Sequence, residues 1–333
     1  MSLKQKEEIT IWAFKDGKKG HEKQIEALIS EFKKHKRIKL HNFFDYCNHD
    51  SIPHIILGAG NGTHKHMLAA KKRHKNAKTI VLMKPSLRPI EWFDIAIVPS
   101  MDKFYFKKPK NVITTDGVLT KYSNQSTKDK TGLIVIGGKS RHFKFKEAVV
   151  REQITWLLKK FDDYEWKITT SPRSPNMIIK TIRNKHLPAR KFFDWNETSE
   201  DWLSEQMKTS ELTFITPESV SVLYEALSTK TKTFAFGQIT HIENGKVLDS
   251  IYDHATRRNV FTGLGGYDET STKVARNIRW LIKFGRLGYI ETGIDSSYSL
   301  AGQKYQGMNL VQPKHHYVLK EVQKVVTELL KRL

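Results

Sequence analysis

Short apolar runs alternate with amphipathic stretches along the first 130 residues. Ile9–Phe14 is apolar and ends in Lys15-Asp16-Gly17-Lys18-Lys19-Gly20, which reads as a strand closing in a polar turn,. From His21 to Lys34, the residues Ile25, Leu28, Ile29 and Phe32 recur at i, i+3, i+4 and i+7, the spacing of one face of a helix,. Ile38–Phe44 and Ile55–Leu57 read as strands. Gly58-Ala59-Gly60-Asn61-Gly62-Thr63 then turns the chain into a helix through about Lys75,. Thr79–Met83 and Ile95–Val98 continue the alternation. Short apolar strands separated by helices predict a parallel, doubly wound sheet.

Between Asp116 and Thr131 the chain turns polar and reads as a linker,. The alternation then restarts. Strands are expected at Leu133–Ile136, Trp166–Thr169, Leu212–Ile215 and Thr233–Phe236, and helices near Lys146–Phe161 and Glu218–Leu227,. From Val318 to Leu330, Val322, Val325, Val326 and Leu329 line one side of an amphipathic helix,. The pattern predicts two tandem α/β domains whose loop ends face each other across a cleft, where ligands bind in this class.

Composition narrows the chemistry. A single cysteine, Cys47, excludes a disulfide scaffold and any all-cysteine metal centre, and fits a reducing, cytoplasmic setting,. No apolar run approaches the ~20 residues that span a bilayer. The 57 Lys and Arg against 35 Asp and Glu give a net charge of +22, which attracts anionic partners or simply decorates a solvated surface,. Lys65–Lys78 and Lys103-Phe104-Tyr105-Phe106-Lys107-Lys108 concentrate it; interleaved aromatics and lysines suit an anionic membrane surface or single-stranded nucleic acid,. No nucleic-acid fold signature accompanies them, and a nucleic-acid partner is not expected.

Four turns carry candidate chemistry. Gly137-Gly138-Lys139-Ser140-Arg141 follows a strand. Glycines admit backbone amides to a phosphate and the two cations add charge,. A Walker loop is excluded because its first glycine would fall at Leu133, inside the strand,. Thr216-Pro217-Glu218-Ser219-Val220-Ser221 opens a helix that Glu218 or Ser219 can cap, and Glu225, two turns on, is placed on the face of Glu218,. Asp16 and His21 flank the first turn, and either side chain can take a proton from a hydroxyl,. The Gly58–Thr63 turn lacks the dinucleotide spacing and its acidic partner,. His64 and His66, at i and i+2, face apart on a helix, so no metal site and no cofactor is expected,.

Seven blocks, in order, resemble the elongated-mitochondria fission protein family: Asp16–Gln24, Gly60–His64, Val81–Ser86, Phe93–Pro99, Ile136–Gly138, Ile168–Ser171 and Thr216–Ser221. The resemblance covers about residues 9–240 and implies a glycosyltransferase-like GT-B fold: two Rossmann-like doubly wound domains, acceptor on the first, nucleotide-sugar donor on the second, no essential metal. It extends to the lipid-intermediate N-acetylglucosaminyltransferases of wall synthesis. It allots Gly20, Gln24, Gly62, Thr63, His64 and Lys84 to the acceptor side, with Asp16 and His21 as catalytic candidates. The donor side takes Gly137, Gly138, Lys139, Ser140, Arg141, Thr170, Ser171, Glu218, Ser219, Ser221 and Glu225, with Glu225 on the ribose. The implied domains are 1–128 (acceptor) and 129–312 (nucleotide-sugar), followed by a helix in 313–333 able to pack back on the first. The expectation is an enzyme moving a sugar from a nucleotide-sugar to an anionic lipid or glycolipid acceptor, peripheral on the inner membrane face. The alternatives are a catalytically inactive scaffold that recruits a partner to a membrane, and a basic nucleic-acid binder. In the sugar-transfer reading, amides and cations replace a metal as the stabiliser of the leaving diphosphate.

Overall fold

The computed structural model describes residues 7–44, 50–102, 104, 107–138, 145, 147–183, 191–237, 239–243, 246–248, 273–294, 305–315 and 318–333. In the first part, β1 (Glu8–Phe14), β3 (Ile55–Ala59), β4 (Lys78–Leu82) and β5 (Ile95–Pro99) send successive side chains to opposite faces of one sheet,. Ile9, Ile11, Ala13, Ile55, Leu57, Ile80, Leu82, Ile95 and Ile97 form one core. Trp12, Phe14, Ile56, Val81, Ala96 and Val98 form a second. Strands apolar on both sides need cover on both. α1 (Lys19–His35) covers the first core through Ile25, Leu28, Ile29 and Phe32, and α2 (Asn61–Arg73) the second through Met67 and Ala70.

The edge strands are β2 (Arg37–Phe43) and β6 (Val112–Thr115), and the order is β2-β1-β3-β4-β5-β6, every pair parallel. The chain moves from β1 out to β2 and returns to β3 on the other side of β1. This reversal opens a crevice at the carboxyl ends of β1 and β3. The last helix, α8 (Glu321–Arg332), adds Val322, Val325, Val326 and Leu329 to the α1 core. Each buried side chain of this size contributes about 1.5–3 kcal/mol. Two compact units result: Met1–Tyr122 with Leu319–Leu333, and Ser123–Val318.

The second unit is built on β7 (Lys128–Val135), β8 (Glu165–Thr169), β9 (Lys191–Phe193), β10 (Ser210–Ile215), β11 (Lys232–Ala235), β12 (Ile239–Glu243), β13 (Lys246–Leu248), β14 (Gly288–Ile294) and β15 (Tyr305–Val311). The sheet runs β13-β12-β14-β11-β10-β7-β8-β9, with β15 antiparallel on β14. α3 (Glu147–Lys160) and α4 (Asn176–Arg183) share a core with Ile134, Ile136, Trp166, Ile168, Leu212, Phe214 and Phe234. α5 (Trp202–Thr209) and α6 (Val220–Leu227) pack on β10 and bury Met207, Leu223 and Leu227, and α7 (Lys273–Lys283) precedes β14. The strand order reverses again where β7 lies between β8 and β10. The fold class is α/β, two Rossmann-like doubly wound domains.

Two expectations change. The stretch 116–131 is no plain linker, because Lys128 already pairs with Ser210 and β7 begins there. Its first three residues are exposed and charged or polar, so an apolar signal starts only at Leu133. The unit boundaries therefore fall at 122/123 and 318/319 rather than at 128/129 and 312/313. No helix among the described residues is long and apolar enough to cross a membrane.

Candidate functional site

The β1–β3 crevice brings Asp16 and His21 together with Gly60 and Gly62. β1 ends at Phe14, and Gly17 at φ +76° makes the tight bend into α1,. That bend sets Oδ2 of Asp16 2.8 Å from Nδ1 of His21. The Asp16 side chain is 8% exposed, and its Oδ1 also accepts the backbone N–H of Lys18 at 3.2 Å. Its carboxylate fixes the imidazole, and with Nδ1 donating to Asp16, Nε2 is the basic nitrogen. Across the reversal, Gly60 at φ +86° precedes α2; a Cβ there would stand 2.4 Å from His21 Nδ1. Glycine is needed twice over, for the backbone angle and for the approach of the imidazole. Gly62 lies close as well, its would-be Cβ 3.2 Å from the Cβ of Asp16.

The other residues expected on the acceptor side make contacts of their own. Thr63 donates its hydroxyl to the Gly60 carbonyl at 2.9 Å and closes the first turn of α2. Gln24, inside α1, donates to the Gly20 carbonyl at 3.2 Å and touches the Met83 sulfur at 3.6 Å. Lys84 lies over the Phe104 ring at 4.6 Å. Asn61 donates to the Ser86 hydroxyl at 2.7 Å, which ties the loop after β4 to the start of α2. His64 is 2% exposed, edge-on to Phe93, and neither ring nitrogen has a hydrogen-bond partner among the described residues. Burial, seconded by the Arg88 cation, pushes its pKa down to about 4, so the ring is neutral at physiological pH,.

In the second unit, the turns after β7, β8 and β10 meet at the other reversal. The Gly137 N–H donates to the Thr216 hydroxyl at 2.7 Å, and the Gly138 N–H to Oε1 of Glu218 at 2.8 Å. That oxygen also accepts from Thr216 at 2.9 Å and Ser219 at 3.3 Å. Glu218 is 7% exposed, and burial raises its pKa against the pull of these hydrogen bonds and of Arg173. A Cβ on Gly137 would stand 1.6 Å from Glu218 Oε1, and one on Gly138 1.7 Å from the Arg173 carbonyl oxygen. The Ser171–Ser174 turn is held against β7 by Ser174, whose hydroxyl donates to the Ile136 carbonyl at 2.7 Å.

Several expected residues take other places. Ser219 precedes α6 without capping it through its side chain. Glu218 lies ahead of the helix with its carboxylate turned back to β7, so it shares no helical face with Glu225. Ser221 and Glu225 are half-buried on α6. Thr170 donates to Asp194 at 2.7 Å, an aspartate also paired with Arg183, and Ser171 lies 3.2 Å from Ser174. Lys139, Ser140 and Arg141 lie outside the described residues, as do Lys103, Tyr105 and Phe106. Sequence reasoning left Arg173 and Thr216 out of the site. Arg173, in the Pro172–Pro175 turn, points a guanidinium nitrogen at the Ser219 hydroxyl, 3.4 Å away. An arginine in a Ser/Pro turn just after a strand was the signal available.

Two sheets, the first all parallel and the second parallel apart from β12–β13 and β14–β15, each with a glycine turn at the point where its strand order reverses, define a protein of two Rossmann-like units,. The chain belongs to the mitochondrial fission ELM1 family, whose model matches residues 19–261. Among curated proteins none matches. Solved structures that resemble the chain include the UDP-GlcNAc 2-epimerase of Methanocaldococcus jannaschii, 11% identical over 97% of this chain and 99% of that one (TM-score 0.48). Others are CalG4, the calicheamicin glycosyltransferase, 9% identical over 85% of each chain (TM-score 0.43), and S. aureus TarM in complex with UDP, 14% identical over 55% of this chain (TM-score 0.35). The chain spans 41% of the length of that TarM structure.

Proposed function

We propose that this protein is a glycosyltransferase that moves a sugar from a nucleotide-sugar donor to an envelope glycan or lipid acceptor, without a metal. The observation that carries the reading is the Asp16–His21 pair, 2.8 Å apart, at the β1–β3 reversal. His21 Nε2 takes the proton of an acceptor hydroxyl as its oxygen attacks the anomeric carbon. The bond from that carbon to the diphosphate oxygen breaks, and the electron pair stays on the phosphate. Asp16 stabilises the imidazolium that forms. One base of this kind gives inversion at the anomeric carbon. In the second unit, the turns after β7, β8 and β10 bind the donor, with Arg173 as the cation for the leaving diphosphate.

A lipid-linked acceptor suits the first unit. Leu87 and Trp92 are 74% and 54% exposed on the loop that also carries Lys84 and Arg88. Apolar side chains with cations on one loop fit an anionic bilayer surface, and we place the protein peripherally on the inner membrane. The test is a thermal-shift screen of UDP-, GDP-, CMP- and dTDP-sugars on the full chain, followed by turnover of the hit. Asp16→Asn and His21→Ala are expected to abolish transfer while donor affinity stays within about twofold. Wild-type turnover in both variants refutes the Asp16–His21 base; no shift with any nucleotide-sugar sinks the reading and leaves the scaffold alternative standing.

A further inference from the structure

The carboxylate of Glu218 has no part in the proton transfer above, yet it is buried against the glycine turn of the second unit. Its Oε1 collects three donors: the Gly138 amide, the Thr216 hydroxyl and the Ser219 hydroxyl. The Gly137 amide is taken by that same Thr216 hydroxyl. So both glycine amides, the groups that would cradle a phosphate, already serve protein oxygens. One of the two protein groups carries a formal negative charge. Gly137 leaves no room for more, since even a methyl group there would overlap Glu218 Oε1. The Arg173 backbone closes the turn in the same way over Gly138.

We propose that Glu218 is the specificity-determining residue of this turn: its carboxylate stands where a phosphate would sit, so the turn rejects the donor's phosphates and takes a group that donates hydrogen bonds, the sugar hydroxyls. The sugar half of this assignment rests on the glycosyltransferase reading; the exclusion of phosphate does not. Two negative groups sharing one desolvated pair of amides repel each other, and a phosphate would also have to break three hydrogen bonds to enter. A hydroxyl needs neither. It donates to the carboxylate and leaves the amides where they are. The diphosphate is then left to the exposed guanidinium of Arg173.

The experiment is calorimetric titration of the full-length wild type, Glu218→Ala and Glu218→Gln with inorganic pyrophosphate, UDP and UDP-N-acetylglucosamine. Glu218→Ala frees the Gly138 amide and the negative charge is gone, so pyrophosphate is expected to bind at least tenfold more tightly than to wild type. Glu218→Gln keeps an oxygen for the Gly138 amide and preserves the turn; its gain is expected to be smaller but in the same direction. The preference for the nucleotide-sugar over UDP is expected to fall at least fivefold in Glu218→Ala. Pyrophosphate affinity that is unchanged or weaker in both variants overturns the exclusion. Parallel gains for pyrophosphate and the nucleotide-sugar overturn the sugar-hydroxyl half of the assignment, since the carboxylate would then contribute nothing to holding the sugar. If neither nucleotide binds any form while pyrophosphate gains, the exclusion stands and the glycosyltransferase reading falls.

Discussion

A neutral imidazole sealed among apolar groups makes the first unit sensitive to acid, and His64 is that imidazole. Its pKa drops from 6.5 to about 4 on folding, chiefly through burial and then through Arg88. The unfolded chain therefore binds a proton below pH 6.5 that the folded chain refuses until about pH 4,. Stability from this residue is fully present above pH 6.5, declines through the interval, and is fully lost below about pH 4,. At ~1.36 kcal/mol per unit, the whole interval is worth about 3 kcal/mol. The perturbation is His64→Leu, which removes the titration and both unpartnered ring nitrogens while filling the same space. At neutral pH the variant should match or exceed wild type by about 1 kcal/mol, because a buried polar group without a partner is itself costly. Urea unfolding of the full-length pair at pH 7.5, 6.5, 5.5 and 4.5 measures the difference, and subtraction removes every other titrating group. The variant's advantage should widen steadily below pH 6.5, by about 1 kcal/mol per unit at its steepest. A difference flat from pH 7.5 to 4.5, or a variant less stable than wild type at pH 5.5, refutes the assignment of a neutral, unpartnered ring.

Other consequences are as direct. Leu329→Ala opens the core between α8 and α1 and should cost about 2–5 kcal/mol in urea unfolding; a loss below 1 kcal/mol would mean α8 is not part of that core. Tyr224 donates to the buried Asn277 side chain at 2.6 Å, so Tyr224→Phe should cost about 1–3 kcal/mol, and an unchanged denaturation midpoint would contradict it,. Gly138→Ala forces the Arg173 backbone to move and should cost more than Gly137→Ala, whose clash is with the end of a side chain that can turn away,. Equal midpoints for the two variants would show that the turn is looser than described. Glu218→Gln should leave the melting temperature within a few degrees of wild type, measured by calorimetric scanning, because its amide oxygen still accepts the Gly138 N–H.

Much of the fold was legible because the central strands of both sheets run parallel and are buried on both faces, so they read as short apolar runs,. Short strands and polar strand starts were not: β6 is four residues with a Thr-Thr end, β9 is three residues, and the interior strand β7 begins in Lys-Asp-Lys. The Asp16–His21 pair was readable from spacing, since a strand end and the first turn of a helix bring i and i+5 together. The role of Glu218 was not. Spacing put it on a helix face beside Glu225, whereas α6 begins only at Val220, so Glu218 lies off the helix and reaches back to Gly138. A hydrogen bond between residues 80 apart in sequence leaves no local trace. His64 was flagged for a ligand role by resemblance, but its isolation among Phe93 and the α2 core is a matter of packing that no periodicity reports.

The final helix has a consequence for synthesis of the chain. Residues 1–122 leave the ribosome early, yet the apolar surface of α1 and its sheet is completed only by Val322, Val325, Val326 and Leu329. The early half must therefore wait, with a greasy face uncovered, until nearly two hundred more residues are made,. A premature stop after residue 318 would lose the closing piece of the half that was translated first.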